Sequence, residues 1–145
     1  MLVFIGTHLP KLDDKGRVIL PAKFRDELST GLVVTSGQEH CLYVFSQREF
    51  ETMYEKLRAS DTGGREARNN LRLFLANASQ ETLDAQNRLT VPALLRQWAG
   101  LERDLTVIGM GTRVEIWDTK TWDDFYATNE ESYANTAEEV FPGLI

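Results

Sequence analysis

The sequence predicts an α+β fold, mainly β, made of two tandem copies of one small unit related by a pseudo-two-fold axis. Three observations carry that prediction. The stretch LDDKGRVILPAKFR at residue 12 returns as LDAQNRLTVPALLR at residue 83, 71 residues later. Short runs rich in β-branched and aromatic residues alternate with turn residues, the pattern of short strands. In each copy a proline then opens a brief apolar-polar segment of helical character.

The echo is detailed. Leu12, Asp13, Arg17, Pro21, Ala22 and Arg25 recur as Leu83, Asp84, Arg88, Pro92, Ala93 and Arg96. Downstream the register slips by one residue, so CLYVFSQREF from Cys41 aligns with RVEIWDTKTW from Arg113. Phe45, Phe50 and Tyr54 then match Trp117, Trp122 and Tyr126, and of these Phe45, Phe50, Trp117 and Trp122 read as core or subunit interface. Each half has about 70 residues, near the lower limit for independent folding, so the two are expected to share a core.

In chain order, residues 2–12 read as a strand interrupted by Pro10, and residues 13–16 as a tight turn. Asp13 can accept from the backbone ahead of it, and Gly16 can take positive φ. Residues 17–20 (RVIL) form a second strand, PAKFRDEL a short helix, and Gly31 its end. Residues 32–36 and 41–45 are strands joined by the GQEH loop. Ser46 and Glu49 form a capping box for a helix with Phe50, Met53, Tyr54 and Leu57 on one face. SDTGGR at 60–65 is a linker, and residues 66–78 a second linking helix. The second copy repeats the order, with GMGTR as its hairpin loop. After Tyr126 the chain becomes polar and acidic, and partial disorder is expected there.

The net charge of −6 is unevenly placed. Residues 118–139 hold seven acids and one base, which accounts for all of it. Residues 1–25 carry five bases against two acids, a basic face compatible with a polyanion. No run approaches the roughly 20 apolar residues of a membrane span, and the N-terminus lacks a signal-peptide pattern. The single Cys41 excludes an internal disulfide and reads as a small buried hydrophobe.

The candidate site is the turn Asp13-x-x-Gly16-Arg17 with its copy Asp84-x-x-Asn87-Arg88. Asp fixes the turn, Gly or Asn permits the reversal, and Arg projects from a stiff scaffold. A guanidinium so placed can contact phosphate or pair with guanine O6 and N7. Lys11, Lys15, Lys23 and Arg25 add attraction to phosphate. A single D-x-x-G-R would be an ordinary hairpin with an Asp–Arg pair. Its recurrence with Arg and Pro in register argues for function. His8 and His40 lack neighbours at metal-ligand spacing, and no catalytic motif or nucleotide fingerprint occurs. The sequence therefore predicts a binder rather than an enzyme, without cofactor or metal.

In these motifs the chain resembles the MraZ family of bacterial regulators over about residues 1–130. GTHLPKLDDKGRVILPAKFRDEL, LDAQNRLTVPALLRQWAGL and VIGMGTRVEIWDTKTW carry the likeness. That family is similar to the AbrB-type transition-state regulators. The resemblance implies a pseudo-two-fold barrel of two tandem swapped-hairpin AbrB-like β-α-β repeats with flanking and linking helices. It divides the chain into repeat 1 at 7–54, a helical linker at 55–82, repeat 2 at 83–126 and an acidic tail at 127–145. It implies a sequence-specific transcription regulator of the cytoplasm and nucleoid. Its partners would be double-stranded DNA, at direct repeats in the promoter of the division and cell-wall gene cluster including its own gene, and further copies of itself in a ring. No membrane and no small-molecule substrate are implied.

Carried over by position, the family's DNA-contacting arginine falls on Arg17 and its second-repeat equivalent on Arg88. Lys15 matches a basic loop position. Asp13, Asp84, Gly16 and Lys11 complete the expected DNA-binding set. The second repeat departs at Gln86, Asn87 and Leu94, which replace Lys15, Gly16 and Lys23, so unequal contributions are expected. The alternative is a structural or partner-binding oligomer, antitoxin-like, using the acidic tail.

Overall fold

Val18 and Leu20, like their counterparts Leu89 and Val91, alternate with more exposed neighbours, so each of these short strands presents one face to an apolar core. The structure, a computed structural model, describes residues 4–59 and 63–140, with the side chains of 137–139 left out. It is α+β with mostly antiparallel strands. In chain order the elements are β1 (Thr7–His8), β2 (Arg17–Ile19), α1 (Ala22–Leu28), β3 (Leu32–Ser36), β4 (Leu42–Ser46), α2 (Gln47–Ala59) and α3 (Arg65–Ala76). The second set follows as β5 (Ser79–Glu81), β6 (Arg88–Thr90), α4 (Ala93–Trp98), β7 (Leu105–Gly109), β8 (Val114–Asp118) and α5 (Thr119–Val140).

Six strands form one sheet in the order β1-β7-β8-β4-β3-β5, and β2 and β6 form a separate two-stranded ribbon. The order is symmetric about the β8–β4 junction. Strands are exchanged across that junction: β1 pairs with β7 of the second half, and β5 pairs back with β3 of the first. The ribbon is also shared, with Val18 opposite Leu89 at its centre.

The sheet is covered on both sides. On one face Leu32, Val34, Leu42 and Val44 meet Leu105, Val107, Val114 and Ile116, together with Val18, Leu20 and Phe24 and their equivalents Leu89, Val91 and Leu95. This single cluster draws matched residues from both repeats, as their small size requires. The other face carries Phe45 and Trp117, with Phe50 stacked on Phe74 and Trp122 on Phe125. All five residues of β3 and of β8 are consequently buried. Cys41 is buried here as expected, its Sγ donating to the Gln38 carbonyl at 3.3 Å, and burial pushes the thiol far up.

Several expectations change at the edges. Only Thr7–His8 of residues 2–12 is a strand, with isolated bridges at Phe4 and Lys11, and residues 2–3 lie outside the description. Pro21 and Pro92 precede their helices as caps, because a fixed φ with extended ψ suits the last non-helical residue (φ −54° and −56°). The Ser46 hydroxyl accepts from the Glu49 amide at 3.1 Å, half of the capping box. Ser60, Asp61 and Thr62 of the linker are outside the described residues. Residues 79–81, read as the end of a linker, form β5; Ser-Gln-Glu lacks apolar alternation because β5 is a sheet edge.

The acidic stretch after Tyr126 is helical to Val140, against the expected partial disorder. No glycine or proline interrupts it there, and alanines and glutamates favour the helix. The final FPGLI lies outside the described residues. Among the described residues no helix is long and apolar enough to cross a membrane.

All three tryptophans, Trp98, Trp117 and Trp122, belong to the second repeat, which makes the shared core testable. Phe24→Ala, in the first repeat and fully buried, should cost about 3–5 kcal/mol. Urea unfolding followed by tryptophan fluorescence should show that loss as one cooperative transition at a lower midpoint. An unshifted tryptophan midpoint would mean two independent cores.

Candidate nucleic-acid interface

The ribbon alternates cleanly. Val18 and Leu89 point inward, while Arg17, Ile19, Arg88 and Thr90 form the more exposed row. Arg17 lies opposite Thr90 and Arg88 opposite Ile19, so the two arginines occupy opposite ends of the ribbon.

Each arginine is fixed by the aspartate four residues before it. The Asp13 Oδ1 accepts from the Lys15 and Arg17 amides, both at 2.9 Å, and its Oδ2 accepts from Arg17 Nε at 2.7 Å. The backbone closes the turn: Gly16 N donates to the Asp13 carbonyl at 3.0 Å, and Asp13 N to the Arg17 carbonyl at 2.9 Å. The second turn is the same construction. Asp84 Oδ1 accepts from the Gln86 and Arg88 amides at 2.9 Å, and Oδ2 from Arg88 Nε at 2.7 Å. Both turns need a left-handed residue, Gly16 at φ 76° and Asn87 at φ 63°.

The geometry leaves a defined chemistry free. The carboxylate holds only Nε; neither terminal nitrogen of Arg17 or Arg88 has a hydrogen-bond partner among the described residues. Both arginine side chains are 25% exposed, and each is held at its Nε. An arginine held in this way offers two parallel donors without first losing its rotamer freedom, which suits a phosphate or a guanine edge. A two-stranded ribbon is also of a width that a DNA major groove admits.

The expected residues divide into groups. Asp13, Lys15, Gly16 and Arg17 come together in the first turn, and Asp84 and Arg88 in the second. Lys15 is exposed beside Arg17, with Gln86 in its place opposite. Gly16 is buried within its turn. Lys11 stands apart, its Nζ 2.6 Å from Asp104. Arg25 donates from Nε to the Leu20 carbonyl at 2.9 Å. His8 packs edge-on to Phe24, and His40 lies against Trp98. Arg96 was noted in the sequence only as part of the repeat. It lies against Gly16, a contact between positions 80 residues apart that no local pattern reveals.

Backbone hydrogen bonds from Arg17 and Arg88, followed by the Arg side chains themselves, hold the carboxyls of Asp13 and Asp84 below the ordinary 3.8. A lowered carboxylate stabilises its turn above that ordinary value and loses the contribution as pH falls through the folded value. The turn amides of Lys15, Arg17, Gln86 and Arg88 should therefore hold their NMR shifts between about pH 5 and 8 and change only below about 3.8. Midpoints at or above 3.8 in a two-dimensional pH titration would contradict the carboxylate lock.

Comparison with known proteins finds the same two repeats. A family model described as "MraZ protein, putative antitoxin-like" matches residues 3–73 and again 74–142. A protein of Leifsonia xyli subsp. xyli named "Transcriptional regulator MraZ" is 59% identical over 142 residues, 98% of this chain and 99% of the relative. Proteins of the same name from Micrococcus luteus and Thermobifida fusca are 56% and 55% identical, over 98% and 99% of this chain and 99% and 100% of theirs. Tandem turns, a shared core and full-length similarity together establish that this chain belongs to the MraZ family.

Proposed function

We propose that this protein is a DNA-binding transcription regulator that reads DNA with the two turns of the β2–β6 ribbon. The observation that carries the reading is the pair of aspartate-held arginines, one at each end of the ribbon, with their terminal nitrogens free. The names of its relatives as transcriptional regulators support the same reading. Arg17 is the principal base-reading residue, Lys15 a phosphate contact, and Arg88 the reader at the far end. Lys11 and the two aspartates set the local charge and geometry.

The pairing of β1 with β7, and of β5 at the end of the linker with β3, supports a swapped-hairpin, barrel-like arrangement of two AbrB-like units, with repeat 1 at 7–54, repeat 2 at 83–126, a linker at 55–82 and a C-terminal segment at 127–145. The target is a set of short direct repeats in the promoter of the division and cell-wall gene cluster, the protein's own gene included. Copies assemble into a ring, so that several ribbons each take one repeat and avidity strengthens weak single contacts. Exposed Ile5, Leu9 and Leu94 support self-association. The protein acts in the cytoplasm at the nucleoid, without a cofactor and without catalysis.

Fluorescence anisotropy with DNA from upstream of the protein's own gene tests this. Arg17→Ala should weaken binding by about 1–3 kcal/mol and reduce preference over scrambled DNA. Lys15→Ala should weaken all sequences alike and reduce the salt slope by about 1. Equal binding by wild type and Arg17→Ala would remove Arg17 from the interface. Absence of any DNA binding would favour the partner-binding alternative.

A further inference from the structure

The two turns are alike in every hydrogen bond of the lock yet differ in what lies behind them. Arg25 and Arg96 are equivalent residues of α1 and α4. Arg25 turns back and donates from Nε to the Leu20 carbonyl. Arg96 makes no such bond; its Nε is buried without an acceptor, and it has no ion pair among the described residues. Its guanidinium lies against the first turn instead. A β-carbon at Gly16 would stand 2.5 Å from its Nη1, 2.7 Å from its Cζ and 3.0 Å from its Nε.

Such contact requires glycine. Asn87, at nearly the same φ in the second turn, carries a β-carbon where Gly16 has none. The first turn is tied to the second repeat in two further places. Val91 N donates to the Gly16 carbonyl at 2.8 Å, just ahead of α4. Leu12 N, entering the turn, donates to the Arg103 carbonyl at 2.8 Å, just beyond α4. A buried donor without an acceptor is a cost to a fold, so its retention beside the reading turn calls for a reason.

We propose that Arg96 is a positioning residue for Arg17: supplied by the second repeat, it braces the first repeat's turn and makes that turn the stiffer and dominant reader. The proposal rests on the reading of the ribbon as the DNA-binding face and says why its two ends act unequally. A planar guanidinium covers the bare Cα of Gly16 and limits the motion of the peptides that aim Arg17. The second turn, lacking that cover, has only its own carboxylate lock.

Two measurements separate the brace from the DNA reading. In the free protein, Arg96→Ala should speed amide exchange at Lys15, Gly16 and Arg17 and leave Gln86 and Arg88 unchanged. In anisotropy titrations, Arg96→Ala should weaken binding roughly ten-fold, in the range for coupled neighbours, without changing the salt slope. Arg17→Ala combined with Arg96→Ala should bind no more weakly than Arg17→Ala alone. Gly16→Asn, which keeps the left-handed turn, should reproduce Arg96→Ala and be insensitive to its addition. Arg96→Lys should not restore binding, because an ammonium offers no plane. Additive losses with a salt slope reduced by about 1 would overturn the proposal and make Arg96 itself a phosphate contact. Unchanged exchange at the first turn would overturn it directly. Faster exchange in a protein whose wild type binds no DNA would uphold the brace and overturn the DNA reading.

Discussion

The molecule depends on a carboxylate that performs three tasks in five residues. Asp13 closes its turn through two backbone amides, then takes the Nε of Arg17, which fixes the direction of the guanidinium. An exposed Asp–Arg pair on its own contributes little to stability. Here it is coupled to backbone bonds of the same turn, so its value lies in geometry: the arginine is ordered before any ligand arrives. Preorganisation of this kind lowers the entropy that binding would otherwise lose. Repetition at Asp84 and Arg88 places a second ordered guanidinium on the same ribbon.

Those turns can be stiff only because the ribbon beneath them is anchored. Val18 and Leu89 enter one core built from both repeats, and β1 and β5 complete the two edges of the large sheet by pairing across the halves. A unit of about 70 residues is near the lower limit for folding alone, and here the apolar cluster is common to both repeats. The same exchange brings α4 of the second repeat against the first turn, where Arg96 meets Gly16. Duplication thus supplies symmetry in the lock and asymmetry in its support.

How much was legible follows from locality. The turn, the lock and the strand-turn-strand context are encoded within five to ten residues, and Asp13, Gly16 and Arg17 announce them through turn chemistry. The repeat made Arg88 legible by position. Of the matched aromatics read as core or interface, Phe45 and Trp117 are buried, and Phe50 and Trp122 pack over them half-buried. Local pattern pointed to a strand within residues 2–12 but not to its partner across the repeats, and β5 was hidden because Ser79–Glu81 is three residues at a sheet edge without apolar alternation. The helix reaching Val140 was hidden by its composition, since acidic residues without an apolar stripe look like a solvated tail. The Arg96 contact joins positions 80 apart, and Gly16 had been read for its φ alone, when the missing β-carbon also leaves room for a neighbour.

The central claim is that a turn arginine, held by its aspartate, touches a base edge. The most direct measurement replaces the purines of one operator repeat with 7-deazapurines, which lack the N7 acceptor, and compares wild type with Arg17→Ala on native and modified DNA. The account predicts that the modification weakens wild type more than Arg17→Ala, whose smaller remaining loss reports Arg88 alone. Equal losses in both proteins, or none in wild type, would show that Arg17 does not read that edge.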